Sequence, residues 1–69
     1  VRYELPERSV VSLELFNALG EKVATLDEGE REAGAHSVVV TAEALPSGAY
    51  FYRLRAGGRT DARKMILLK

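Results

Sequence analysis

Residues 48–69 read GAYFYRLRAGGRTDARKMILLK. Tyr50, Tyr52 and Leu54 alternate with Phe51, Arg53 and Arg55, a period of two that sends successive side chains to opposite faces of a strand. Gly57-Gly58 is a two-residue turn of the kind that type I′ and II′ hairpins prefer. Beyond it Ala62, Ile66 and Leu68 alternate against Arg63, Met65 and Leu67. The stretch predicts a closing β-hairpin, entered at Gly48, where glycine accepts an unusual φ, and held in register by Gly57 and Gly58.

The same period runs backward through the chain. Val1 to Leu5 alternates apolar and charged residues until Pro6, which has no N–H to give a ladder. Ser9 to Phe16 places Val11, Leu13 and Leu15 on one face, with Val10, Ser12, Glu14 and Phe16 on the other. Asn17-Ala18-Leu19-Gly20 reads as a turn, Asn favouring its first position and Gly tolerating the positive φ that closes it. Glu21 to Leu26 resumes extended character, so Ser9–Leu26 is expected to be a second hairpin. Asp27 to Gly34, with four acids and two glycines, reads as a connection. Ala35 to Thr41 returns to strand character, with His36, Val38 and Val40 on one side. Ala42 to Leu45 has room for one helical turn before Pro46-Ser47-Gly48 stops it. Six strand-like runs with regular turn signals predict an all-β, antiparallel sandwich of six or seven strands.

Length and composition bound the function. Sixty-nine residues allow one domain, and a chain near that size buries only about 60% of its unfolded surface. Such a fold is expected to leave little interior for a substrate cleft, which weighs against an enzyme. No apolar run approaches a membrane span. The absence of cysteine removes disulfides, thiol catalysis and the common structural zinc sites. The first residue is Val1 and no signal-peptide pattern follows, so the chain reads as a piece excised from a larger protein.

No catalytic, metal or cofactor constellation stands out. His36 falls on an apolar strand face, where a ring nitrogen bonded to a carbonyl is expected. Asp27, Glu28, Glu30 and Glu32 lack the spacing of a calcium loop. Ser47 has no nucleophile-elbow context. Five aromatic rings and no tryptophan make a poor sugar platform, and nothing resembles a nucleic-acid-binding signature.

Charge is uneven. Residues 1–48 carry four basic and nine acidic groups, a net of −5, and residues 49–69 carry six basic groups and one acid, a net of +5. Either the two stretches neutralise each other in space, or a basic C-terminal surface meets an acidic partner or an anionic envelope surface. Whether the arginines share an outward face decides between them.

Several blocks closely resemble the type A C-terminal sorting domain of the type IX (Por) secretion system, to which an Ig-like module of flagellar hook-capping proteins is related. Leu45-Pro46-Ser47-Gly48-Ala49-Tyr50-Phe51-Tyr52-Arg53-Leu54 and Arg63-Lys64-Met65-Ile66-Leu67-Leu68-Lys69 are the most specific. Tyr3-Glu4-Leu5-Pro6-Glu7, Leu15 to Leu26 with Gly20, and Ala33-Gly34-Ala35-His36 follow the same pattern. Where the family often has Trp followed by Asp-Gly, this chain has Val40-Thr41-Ala42-Glu43, so Leu45 is expected to refill the space. The resemblance implies an Ig-like sandwich at the C-terminus of a secreted or surface protein such as a hydrolase. It implies a non-catalytic address read by an outer-membrane translocon in a Gram-negative-type bacterium. In many members a sortase-like peptidase then removes it and the cargo is attached to the cell surface. The expected structural motif is Gly20, Gly34, Pro46, Gly48, Tyr50, Tyr52, Gly57 and Gly58. The expected recognition set is Arg53, Arg55, Arg63, Lys64 and Lys69. An accessory Ig-like spacer or carbohydrate-binding module of a secreted enzyme is the alternative.

Overall fold

The structure, a computed structural model, describes residues 1–40 and 45–68. Among these, six strands and no helix form: β1 (Arg2–Leu5), β2 (Ser9–Asn17), β3 (Lys22–Arg31), β4 (Gly34–Ser37), β5 (Gly48–Ala56) and β6 (Arg59–Leu67). They make an antiparallel sheet of order β3-β2-β5-β6 and a two-stranded sheet, β1-β4. The two sheets pack face to face, consistent with the small Ig-like sandwich expected. The helical turn expected at Ala42–Leu45 falls, apart from Leu45, outside the described residues.

The central strand β2 shows why the period of two decides the fold. Val11, Leu13 and Leu15 are buried and Val10 is exposed, so one face is dry and the other wet. Across the β2–β5 ladder Leu13 meets Leu54 and Leu15 meets Tyr52 on the inner face. Glu14 meets Arg53 and Phe16 meets Phe51 on the outer face. From the opposing sheet Tyr3 and Leu5 pack onto Val11 and Leu13. Each large apolar side chain fully buried this way contributes roughly 1.5–3 kcal/mol. Among the described residues only Val11, Leu13 and Leu15 are fully buried, with Tyr3, Leu5 and Tyr50 nearly so, and the core is thin.

The β2–β3 turn follows its sequence. Asn17 Oδ1 accepts the N–H groups of Leu19 and Glu21, each at 3.0 Å, and the Gly20 N–H donates to the Asn17 carbonyl at 3.0 Å. The β5–β6 turn is equally local. Gly57 (φ 54) and Gly58 (φ 81) both adopt the left-handed conformation of a type I′ turn, which costs an L side chain about 1–2 kcal/mol.

One expectation is corrected. The acidic segment is not a connection from Asp27 onward, because β3 continues to Arg31. A register shift between Leu13 and Glu14 leaves Leu26 as the extra residue, and pairing resumes at Asp27 opposite Leu13. Tertiary partners allow this. The Tyr3 hydroxyl donates to Asp27 at 2.7 Å, and Arg31 Nη2 donates to the same carboxylate at 2.5 Å. The connection shortens to Glu32 and Ala33, and β4 ends at Ser37, short of the expected Thr41. Leu45 is half-buried and lines one hollow with Leu15, Leu26 and Val40.

Candidate recognition face

The outer face of the large sheet collects side chains from all four strands. Its clearest feature is a charge ladder on the Glu14–Arg53 rung. Glu14 Oε1 accepts from Arg53 Nη2 at 3.0 Å, Glu14 Oε2 lies 3.4 Å from Lys22 Nζ, and the Arg53 guanidinium lies 4.8 Å over the Phe16 ring. The Arg53 hydrogen bond, reinforced by Lys22, holds the Glu14 carboxyl below its ordinary range. Arg53 is therefore half-buried and engaged within the molecule.

Beside this ladder the surface changes character. Arg55 lies between Ser12 and Thr60, and Lys64 lies opposite Phe51, both exposed and neither in an ion pair among the described residues. Apolar side chains gather around Lys64: Phe51, across from it, is 40% exposed, and Ile66 and Leu68, further along its own strand direction, are 57% and 84% exposed. Clustered solvent-facing apolar residues beside an unpaired cation mark an interaction surface.

Arg63 is placed apart from this group. It lies on the inner face of β6 opposite Tyr52, with Nη2 3.9 Å from Asp61 Oδ2. The signal for this was present in the sequence. Counting outward from the Gly57-Gly58 turn pairs Arg63 with Tyr52 and Lys64 with Phe51, so the two neighbours must face opposite ways. Arg53, Arg55 and Lys64 share the outer face, while Lys69 lies outside the described residues.

The other singled-out residues take local roles. Tyr50 is buried and its hydroxyl donates to the Pro46 carbonyl at 2.6 Å, tying the entry of β5 to the turn before it. Tyr52 is half-buried, Gly34 opens β4, and Gly48 opens β5 with φ 155. His36 is half-buried, donates from Nε2 to the Glu32 carbonyl at 2.7 Å, and stacks on Tyr3 with ring centroids 5.2 Å apart.

Two further features escaped the sequence. Asp27 is an anchor, its carboxyl held low by hydrogen bonds from Arg31 and then from Tyr3. Burial, followed by the bond to Asp27, pushes the Tyr3 phenol up to about 12. The other is an open cleft of about 460 Å³ between β1 and the inner faces of β5 and β6, contrary to the expectation of little interior space. The smaller sheet is only two strands wide against four in the larger one.

Charge neutralisation is mostly local. Arg8 pairs with Glu30, Arg31 with Asp27 and Lys22 with Glu14, all within the acidic half of the chain. Arg53 alone among the described C-terminal cations crosses to that half, through Glu14. Among the described residues no group of three or more His, Asp or Glu side chains gathers as a metal site would need, and no helix is long and apolar enough to cross a membrane.

A comparison with protein families decides what this surface belongs to. The model of the secretion system C-terminal sorting domain matches residues 1–68. The chain belongs to that family. It is a C-terminal sorting domain of type IX secretion, a non-catalytic signal for export to the cell surface that works with the secretion machinery. No curated protein and no solved structure matches the chain.

Proposed function

We propose that this sorting domain is read as a folded surface, through the outer face of the β5–β6 hairpin, with Arg55 and Lys64 as the accessible cations and Phe51 beside Lys64. The observation that carries the reading is the unneutralised charge on this face, beside exposed Phe51 and Ile66. Lys69 extends the same basic ribbon in sequence. Arg53 supports the face through Glu14 and Phe16. Arg63, on the opposite face, contributes to recognition only if the receptor also reaches around the β6 edge.

In this reading the 69 residues are one Ig-like domain excised from a larger secreted protein, such as a hydrolase, whose remaining domains are the cargo. The reader is an outer-membrane translocon, and a sortase-like peptidase acts afterward to release the domain and attach the cargo to the surface. The alternative of a carbohydrate-binding spacer is less supported, because Phe51 is the one exposed ring of the five and one ring makes no stacking platform.

The test is export of a reporter carrying these residues at its C-terminus, in a bacterium with and without the machinery. Deleting residues 63–69 should stop export. Lys64→Gln with Arg55→Gln should reduce export while leaving the melting temperature unchanged. Normal export by the deletion would place the signal elsewhere. Loss of export together with loss of folding in the double variant would assign the two cations to stability.

A further inference from the structure

The geometry points to a strand-acceptor slot along the open edge of β1, built to take an extended peptide segment of a partner protein. The inference does not depend on how the outer face is read.

The slot begins with an imbalance between the sheets. On the inner face of the β2–β5 ladder Leu13 and Leu15 are wholly covered, whereas their rung partners Leu54 and Tyr52 are only half-buried. Cover from the smaller sheet thins over β5, where Tyr52 and Leu54 touch the core cluster on one side only. The cleft left there is about 460 Å³, bounded by Val1 to Glu4 on one side and by Tyr52, Leu54, Asp61 and Arg63 on the other. A second hollow of about 90 Å³ shares Glu4, Leu54 and Asp61 with it and continues past Leu5 and Pro6. The two form one groove that follows β1 over its whole length.

Backbone hydrogen bonding identifies what the groove offers. Val1 and Val38 exchange both bonds, N–H of Val1 to the Val38 carbonyl at 2.8 Å and N–H of Val38 to the Val1 carbonyl at 2.7 Å. In an antiparallel ladder such pairs alternate with pairs that exchange none. Register places Tyr3 opposite His36 and Leu5 opposite Gly34 in the bonded class, and Arg2 and Glu4 in the other. The N–H and C=O groups of Arg2 and Glu4 therefore point away from β4, toward the edge that has no strand neighbour among the described residues. An edge of unpaired donors and acceptors beside an apolar floor is the arrangement that strand addition uses.

The side chains specify the guest. Arg2 and Glu4 are exposed on the outward face and neither has an ion pair among the described residues. A guest strand would place an acidic residue beside Arg2 and a basic residue beside Glu4, the favourable cross-strand combination. Its intervening residue points inward over Tyr52 and Leu54 and is apolar. A second copy does not fit, because pairing β1 with β1 antiparallel lays the partner's large sheet into the layer that β5 and β6 already occupy. A single extended segment fits.

The probe is the peptide SVKVEVS, acetylated and amidated, which in antiparallel register sets Lys beside Glu4 and Glu beside Arg2. It is titrated into the ¹⁵N-labelled chain while amide hydrogen exchange is read residue by residue. Saturable protection of the Arg2 and Glu4 amides, with shifts at Tyr52 and Leu54, is expected. Glu4→Pro removes an edge donor without touching the β1–β4 ladder, and should weaken binding about tenfold or more. The same peptide N-methylated at Lys and Glu should show the same loss, independent of any effect of proline on folding. Unchanged exchange at Arg2 and Glu4 with peptide at about 1 mM, or equal binding by the N-methylated peptide, overturns the inference. So does a dimer that protects those amides without peptide, because the edge would then belong to a second copy.

Discussion

Tyr3→Phe tests the polar link between the two sheets. The Tyr3 hydroxyl reaches from β1 in the small sheet to Asp27 in the large one at 2.7 Å. Phenylalanine keeps the ring, its burial and its stacking on His36, so the substitution removes the hydroxyl and little else. A hydrogen bond to a charged acceptor contributes about 1.5–3 kcal/mol. Asp27 retains Arg31 and the Glu28 N–H, so no buried acceptor is orphaned and the low end, about 1.5 kcal/mol, is expected. A domain of this length has a total stability of roughly 3–10 kcal/mol, and its unfolding entropy converts that loss into about 10 °C of melting temperature.

Urea unfolding followed by far-ultraviolet circular dichroism suits a chain with no tryptophan. The pH dependence gives the reasoning its second handle. The Tyr3 phenol is raised from 10.0 to about 12 in the folded chain. Its proton is held more tightly folded than unfolded, so the stabilisation is complete below the ordinary value and fades as pH climbs from 10.0 toward about 12. The difference between the parent chain and Tyr3→Phe should be flat near neutrality and shrink in that alkaline window. A difference under about 0.5 kcal/mol at neutral pH, well below what a charge-assisted bond contributes, or one that persists unchanged through the window, refutes the argument.

Other outcomes follow from the same packing and turn geometry. Leu13→Ala opens a cavity at a position with 0% exposure and should cost about 2–5 kcal/mol in urea unfolding, enough to leave much of the chain unfolded. Gly58→Ala should cost about 1 kcal/mol from its positive φ alone, since nothing lies within 4 Å of the added carbon, and Gly58→Asn should cost less. Glu14 and Asp27 are held below their ordinary carboxyl values, so their stabilisation is present above that range and is lost as pH falls through it. An acid titration of stability should show the decline, and Asp27→Asn should flatten it.

Much of the strand content was readable from alternation. Val11, Leu13 and Leu15 against Val10, Ser12 and Glu14 had one arrangement open to them, because successive Cβ atoms of a strand point to opposite faces. The acidic run resisted such a reading. Asp27, Glu28 and Glu30 have poor strand propensity, and the partners that accommodate Asp27, Tyr3 and Arg31, lie 24 and 4 residues away. The recognition set was partly legible. The two-residue turn sets Lys64 beside Phe51 and Arg63 beside Tyr52, but nothing local announces that Glu14 and Phe16 capture Arg53.

The amino-acid order determined which residues share a face and how the last hairpin closes, since both follow from strand period and turn length, which act over a few residues. Tertiary structure decided which faces are covered. β1 and β4 pair residues 29 to 35 apart in sequence and make a sheet two strands wide against four in the other, so where cover ends depends on the meeting of distant segments. That boundary leaves Tyr52 and Leu54 half-open, because burial belongs to the whole assembly of strands and not to any one of them.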